Sequence, residues 1–306
     1  MATDDGEYEA GEDGVVTDDH ADTSAPEADP FESGKDRIEE GDESLRPGDV
    51  TDDGIVSSKN DKDEKVTSDE AAFASSYITK TSLSEKKIGW GLGKERDSSN
   101  RPIDAVRAEE KYSSLGGRFI ASDGTICLTF DEGYENGYTA SILDTLKEKN
   151  VKAVFFVTYD YCKSAPELVR RMIDEGHTVG NHTWSHPSMP DLTQKEVWSE
   201  VMKLHEYVKN EFGYEMTLFR FPKGEFSERT LDDLHNLGYT SLFWSFAYAD
   251  WDTSRHTDPA EALARIEDST HSGIYLLHAV SDTNAEILGP LIDYWKEQGY
   301  TVEAEI

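Results

Sequence analysis

Seven residues between positions 131 and 278 are of types that together can hold a metal and move protons. Asp131 and Glu132 stand side by side in TFDEGYENG, with Gly133 after them to permit a sharp turn. Two adjacent carboxylates can aim one oxygen at a metal and another at a water; the alternative is a solvated acidic turn, common in so acidic a chain. His182 and His186 lie four apart in NHTWSH. That spacing puts two imidazoles on one side of a helical turn, as a divalent metal requires, with a carboxylate elsewhere to complete three ligands and leave a fourth position open. The other reading is a pair of surface histidines. Arg220 stands in FRFPKG beside a proline-fixed loop, placed either to orient a carboxylate or to make a surface salt bridge. Asp250 in AYADW can hold a histidine in one tautomer and raise its pKa, or simply end a strand. His278 closes YLLH, where a satisfied core histidine is the competing reading.

The elements that must position these residues read as alternating strands and helices. Apolar, β-branched runs at 125–130 (TICLTF), 152–158 (KAVFFVT), 177–181, 217–220, 239–245, 273–278 and 299–303 suggest about seven strands. Between them, Ile142, Leu143 and Leu146 share one helix face, and Val197, Val201, Leu204 and Val208 another. Ser227 is placed to cap a helix carrying Leu231, Leu234 and Leu237 that stops at Gly238. Such alternation implies parallel pairing with right-handed crossovers, hence an α/β fold that is either a (β/α) barrel or an open doubly wound sheet. Asp131, Arg220 and His278 each fall just past the C-terminal end of an apolar run. In a barrel that end carries the chemistry, so the barrel is the expected form.

The 306-residue chain has a formal net charge of -33, unevenly spread: residues 1–70 hold 25 acidic against 6 basic residues. That stretch is poor in aromatic and β-branched residues and cannot offset its ordering entropy by burial. The expected organisation is a disordered acidic linker at 1–75, an extension at 76–120 packing on the barrel through Ile88, Trp90 and Ile103, and the catalytic domain at 121–306. So acidic a chain repels phosphate backbones and anionic lipid, which argues against nucleic-acid and membrane-surface partners. No 18-residue apolar run and no signal peptide are visible, so no membrane insertion is expected of this sequence. Cys127, inside an apolar strand run, is expected to be a buried free thiol.

In this order, TFDEG, NHTWSH, FRFPKG, ADW and LLH resemble the five ordered motifs of the polysaccharide deacetylase family, the NodB-homology carbohydrate esterases of family 4, over about residues 85–306. The longer strings TFDEGYENGYT, DEGHTVGNHTWSHP and FSERTLDDLHNLGYT, with KIGWGLG upstream, are similar to one branch: the delta-lactam-forming peptidoglycan de-N-acetylases that act on muramic acid. The resemblance implies a distorted (β/α) barrel, an extracellular or cell-envelope location, and hydrolysis of the N-acetyl amide of peptidoglycan muramic acid or glucosamine. It also implies roles. Zn²⁺, or another divalent metal, would sit on His182, His186 and Glu132. Asp131 would be the base, kept ionised by Arg220. His278, oriented by Asp250, would protonate the departing amine, and a backbone N–H near Tyr134 would face the oxyanion. Trp251 and Leu276 would form the acetyl pocket, and Pro222 would line the cleft wall. Three positions depart from the pattern: Glu132 replaces the family's aspartate, Phe221 the first proline after the arginine, and Lys223 the branch's arginine. Because of Glu132, a catalytically retired sugar-binding wall protein is the alternative on the same barrel, and chitin oligomers are the alternative substrate. A glycosidase using Asp131 and Asp250 is disfavoured by the histidine pair, since two carboxylates alone suffice for that reaction.

Overall fold

The computed structural model describes residues 82–254 and 256–305, so the acidic stretch expected at 1–75 and the start of the extension lie outside the described residues. The extension contributes β1 (Ile88–Gly89), α1 (Ile103–Tyr112) and β2 (Gly117–Arg118). The alternating part then runs β3 (Thr125–Glu132), α2 (Thr139–Glu148), β4 (Val154–Val157), α3 (Tyr159–Ser164), α4 (Pro166–Asp174) and β5 (Thr178–Asn181). After it come α5 (Gln194–Phe212), β6 (Leu218–Phe219), β7 (Glu225–Phe226), α6 (Glu228–Asn236) and β8 (Thr240–Leu242). The chain closes with α7 (Pro259–Asp268), β9 (Gly273–His278), α8 (Asp282–Glu297) and β10 (Thr301–Glu303).

Eight strands form one parallel sheet in the order β10-β3-β4-β5-β6-β8-β2, with β9 also against β3. The stretch after β8 comes back beside β9: Phe246 bridges Tyr275, and the Leu276 N–H donates to the Phe246 carbonyl at 2.9 Å. The sheet therefore curls into a distorted (β/α) barrel. The expected seven strands are all present. The eighth is β2, two residues long, too short for an apolar run to reveal it. Helix boundaries obey local chemistry. Thr193 caps α5 with Glu196 in a reciprocal capping box, and the Ser227 side chain accepts the Thr230 N–H at the start of α6 as expected.

Strand alternation sorts the core into two populations. On β3, Ile126, Leu128 and Phe130 pack outward with Ile142, Leu143 and Leu146 of α2. Cys127 faces inward with Val154, Phe156, Leu242 and Ile274, and it is free and buried, its thiol pushed up to about 12 by burial. The barrel is thus apolar at its lower end, and the inward residues nearer the strand C-termini are polar.

The extension straps the same end. β1 pairs antiparallel with β7, and Trp90 donates its indole N–H to the Trp244 carbonyl at 3.0 Å while meeting Phe119 edge-on at 4.7 Å. Ile88 and Trp90 pack against the core. Ile103 opens α1 and is partly buried, as Ile88 and Trp90 are. Gly224 approaches this strap closely: at φ 66°, a Cβ there would lie 2.7 Å from the Trp244 ring.

Candidate active site

The inward face of β3 carries Thr129 and then Asp131, which is flanked across the sheet by Phe156 of β4 and His278 of β9. Arg220, on the residue after β6, is fully buried in the barrel above Phe156, whose ring lies 4.3 Å from the guanidinium carbon. Its Nη1 donates to the Thr129 hydroxyl at 2.7 Å and to Asp131 Oδ1 at 2.9 Å, and its Nε to the Leu242 carbonyl at 3.2 Å. A buried guanidinium without such partners would be prohibitive, so this arginine is committed to one orientation and Asp131 with it. Burial alone would raise the Asp131 carboxyl. Arg220, His182 and His278 outweigh it, and the group is held below its ordinary value.

On the other flank of Asp131, His278 is clamped by Asp250. One carboxylate oxygen lies 2.7 Å from His278 Nδ1, and the other accepts the His278 main-chain N–H at 2.8 Å. The Asp250 side chain is completely buried, while 20% of the His278 side chain remains exposed. Shielding opposes charge on this imidazole, but Asp250, by its charge and hydrogen bond, and Asp131 raise it above its ordinary value. Two neighbouring groups are thus biased oppositely, one toward a carboxylate and one toward an imidazolium.

His182 and His186 do meet, with ring centroids 4.8 Å apart, but by a different route from the expected helical turn. They sit on an irregular loop after β5 in which Thr183 (φ 73°) and His186 (φ 57°) both adopt left-handed backbone. Such a conformation in a β-branched residue costs free energy and persists only where surroundings enforce it. Here Asn181 Oδ1 accepts the Thr183 N–H, the Thr183 hydroxyl accepts the His186 N–H, and Glu200 binds both the N–H and hydroxyl of Ser185. Trp184 stacks on Tyr159 at 3.6 Å. His182 Nδ1 is hydrogen-bonded to the Arg220 carbonyl at 2.9 Å, which turns Nε2 toward Asp131 Oδ2 at 3.6 Å. Burial pushes this imidazole down to about 4, so it is a neutral ring with Nε2 available as a donor of electrons.

Glu132 departs from its expected place beside the histidines. β3 runs on through residue 132 instead of ending at Phe130, and the pleat sends Glu132 to the face opposite Asp131. Its cross-strand partner is Val157, a member of the outward core, whereas Asp131 pairs with the inward Phe156. The Glu132 side chain is fully buried and both its oxygens lack a hydrogen-bond partner. Burial, with Glu135 and Asp131 nearby, keeps this carboxyl protonated well above the usual range. Among the described residues no group of three or more His, Cys, Asp or Glu is placed to hold a metal ion. The three-donor site expected from the sequence therefore does not fit these residues as they stand, although the two imidazoles do converge.

A neutral buried acid has a consequence for stability. The unfolded carboxyl ionises near pH 4.3 and the folded one only at much higher pH, so Glu132 opposes folding increasingly as pH rises above about 4.3. Glu132→Gln is expected to raise the melting temperature more at pH 8 than at pH 5 and to bind as much Zn²⁺ as the parent chain. Calorimetry and a zinc titration check both, and loss of zinc binding in the variant would return Glu132 to the ligand set.

Of the expected wall residues, Leu276 shares the inward face of β9 with His278, and Pro222, separated from Arg220 by Phe221, begins a short 3-10 turn (Pro222–Gly224). Trp251 follows Asp250 and is partly buried; Tyr134 is partly buried beyond the end of β3. Sequence reasoning missed Thr129, Glu200 and Asn284. Thr129 had a signal, since it is the hydroxyl residue inside the apolar run TICLTF. Asn284 had none: its amide donates to Asp250 Oδ2 from thirty-four positions away.

The sequence profile described as Polysaccharide deacetylase matches residues 120–242. The chain is 42% identical over 237 residues to an uncharacterized 30.6 kDa protein of Geobacillus stearothermophilus, covering 76% of this chain and 89% of that one. It is 40% identical over 225 residues to the peptidoglycan-N-acetylmuramic acid deacetylase PdaA of Bacillus subtilis, covering 71% of this chain and 84% of the relative. The solved structure of Bacillus subtilis PdaA, a family 4 carbohydrate esterase, superimposes with a TM-score of 0.68 at 36% identity, over 72% of this chain and 96% of that one.

Proposed function

The chain belongs to the polysaccharide deacetylase family, and on that premise we propose that it removes the N-acetyl group from amino sugars of peptidoglycan, releasing acetate. The observation that carries this reading is the placement of Asp131 and His278 as register partners on β3 and β9 with opposite protonation biases. Hydrolysis of an amide needs a base for the attacking water and an acid for the leaving amine, and environments that push two groups apart assign those tasks.

In this reaction Asp131 takes a proton from a water as its oxygen attacks the acetamide carbonyl carbon. Arg220 keeps Asp131 ionised and aimed. Collapse of the tetrahedral species breaks the C–N bond, and His278, charged and oriented by Asp250, delivers its proton to the amine nitrogen. A backbone N–H near Tyr134 faces the oxyanion; such donors are typically worth about 3–4 kcal/mol. Leu276 and Trp251 enclose the acetyl methyl, and Pro222 forms part of the cleft wall. His182 and His186 are the candidate ligands of a divalent metal, and the third expected donor, Glu132, is turned away from them. The substrate places the working protein outside the cell or in its envelope. No helix among the described residues is long and apolar enough to cross a membrane.

Incubation with N-acetylated peptidoglycan and with N-acetylglucosamine oligomers tests the proposal. Acetate should appear, and mass spectrometry of the digested fragments should locate the sugar that lost its acetyl group. A sugar-binding protein without turnover, the reading that the turned-away Glu132 favours, predicts binding and no acetate. New reducing ends without acetate would indicate a glycosidase.

A further inference from the structure

We propose that Asn284 is a positioning residue that fixes the Asp250–His278 pair for proton delivery, an inference that rests on the role given to His278 above. Asn284 is buried in the first turn of α8, where the Ser281 hydroxyl accepts its main-chain N–H at 3.2 Å. Its side-chain amide donates to Asp250 Oδ2 at 2.5 Å and to the His278 carbonyl at 3.0 Å, and its own carbonyl accepts the Tyr248 hydroxyl. A buried amide needs partners of some kind. What distinguishes this one is that both donors end on the same acid–base pair, one on the carboxylate and one on the histidine backbone.

The consequence is geometric. Asp250 accepts three donors: the His278 ring, the His278 main-chain N–H and Asn284. Its carboxylate cannot rotate without losing contacts at both oxygens. A neutral amide suits this place because it orients Asp250 without cancelling the charge that His278 depends on; a lysine or arginine here would compete for it. The groups facing the pair are Asp131 and Arg220 around His278, with Tyr248 beside Asp250 and, through Tyr248, Arg265 and Asp282. None of these reaches across both members as Asn284 does.

Two variants test the assignment. Asn284→Leu should lower kcat about 10- to 100-fold with KM changed less than about 2-fold, the range typical of lost outer hydrogen bonds to an active group. The low-field proton signal of the His278 Nδ1–H should move or vanish in the same variant. Asn284→Asp is nearly isosteric and keeps the fold if the leucine variant does not. It puts a second carboxyl against buried Asp250, where the two share one proton, so the charge that His278 depends on is partly withdrawn and the alkaline limb of kcat should move down. The proposal is overturned if both variants, or the aspartate variant alone where leucine unfolds, leave kcat, its pH profile and the His278 signal at parental values. A displaced ring signal in a chain that releases no acetate even as wild type would support the positioning while removing the deacetylase reading.

Discussion

Asp131→Asn should release acetate about 10²- to 10⁴-fold more slowly than the parent chain, the span that general-base groups usually contribute. The substitution keeps the size and one acceptor for Arg220, so circular dichroism and the melting temperature should show a folded protein with KM close to the parental value. The pH profile of the parent gives a second measure of the same assignment. Asp131 is held below its ordinary value and must be ionised, so the acid limb of kcat/KM should lie below the usual carboxylate range. His278 is held above its ordinary value and must be protonated, so the alkaline limb should lie above about pH 6.5. A profile with both limbs reversed, or a fully active Asp131→Asn, would remove Asp131 from the role of base.

Arg220→Met should be the most destabilising single change at the site, costing about 3–5 kcal/mol at neutral pH, because it leaves a buried carboxylate without its cation. The arginine is fully buried, so solvent does not screen the loss. The pH dependence identifies the cause. In the parent, the depressed Asp131 value contributes stability that is present above the unfolded carboxyl value near 3.9 and is lost as pH falls through the folded value. The gap between parent and Arg220→Met in urea denaturation should therefore be widest above about pH 4 and narrow below it. A gap that stays constant with pH would assign the cost to lost packing on Phe156 and to the lost hydrogen bond to Thr129 instead.

Much of this arrangement was legible in the sequence, for physical reasons. Asp131, Arg220 and His278 could be placed at the chemical end of the barrel because each terminates an apolar run, and parallel strands that alternate with helices all point their C-termini the same way. Cys127 followed from the same runs. Glu132 was misplaced because adjacency in sequence suggests proximity in space, whereas a pleated strand sends neighbours to opposite faces. The rule was available; what failed was the boundary, since β3 continues two residues past Phe130. The histidine pair met for a reason that spacing does not encode. A left-handed Thr183 has no local signature, and the contacts that enforce it come from Asn181 and from Glu200 on α5. Asn284 was invisible for a related reason, because its partners Asp250 and His278 belong to a loop and a strand that only the closed barrel brings to α8.

The pairing of β3 with β9 ties the chemistry to the order of chain assembly. Asp131 is among the first residues of the barrel to be synthesised and His278 among the last, and the barrel positions between them are nearly the whole domain. A growing chain that has emerged only as far as α6 already owns the base, its arginine and the histidine pair, yet it has no proton donor, and the β3 edge on which β9 closes is still unpaired. Contacts so distant in sequence form late and slowly. Hydrolytic competence is therefore a property of the finished barrel alone, and its recovery on refolding reports the docking of the final strands and α8 and not the earlier collapse of the core.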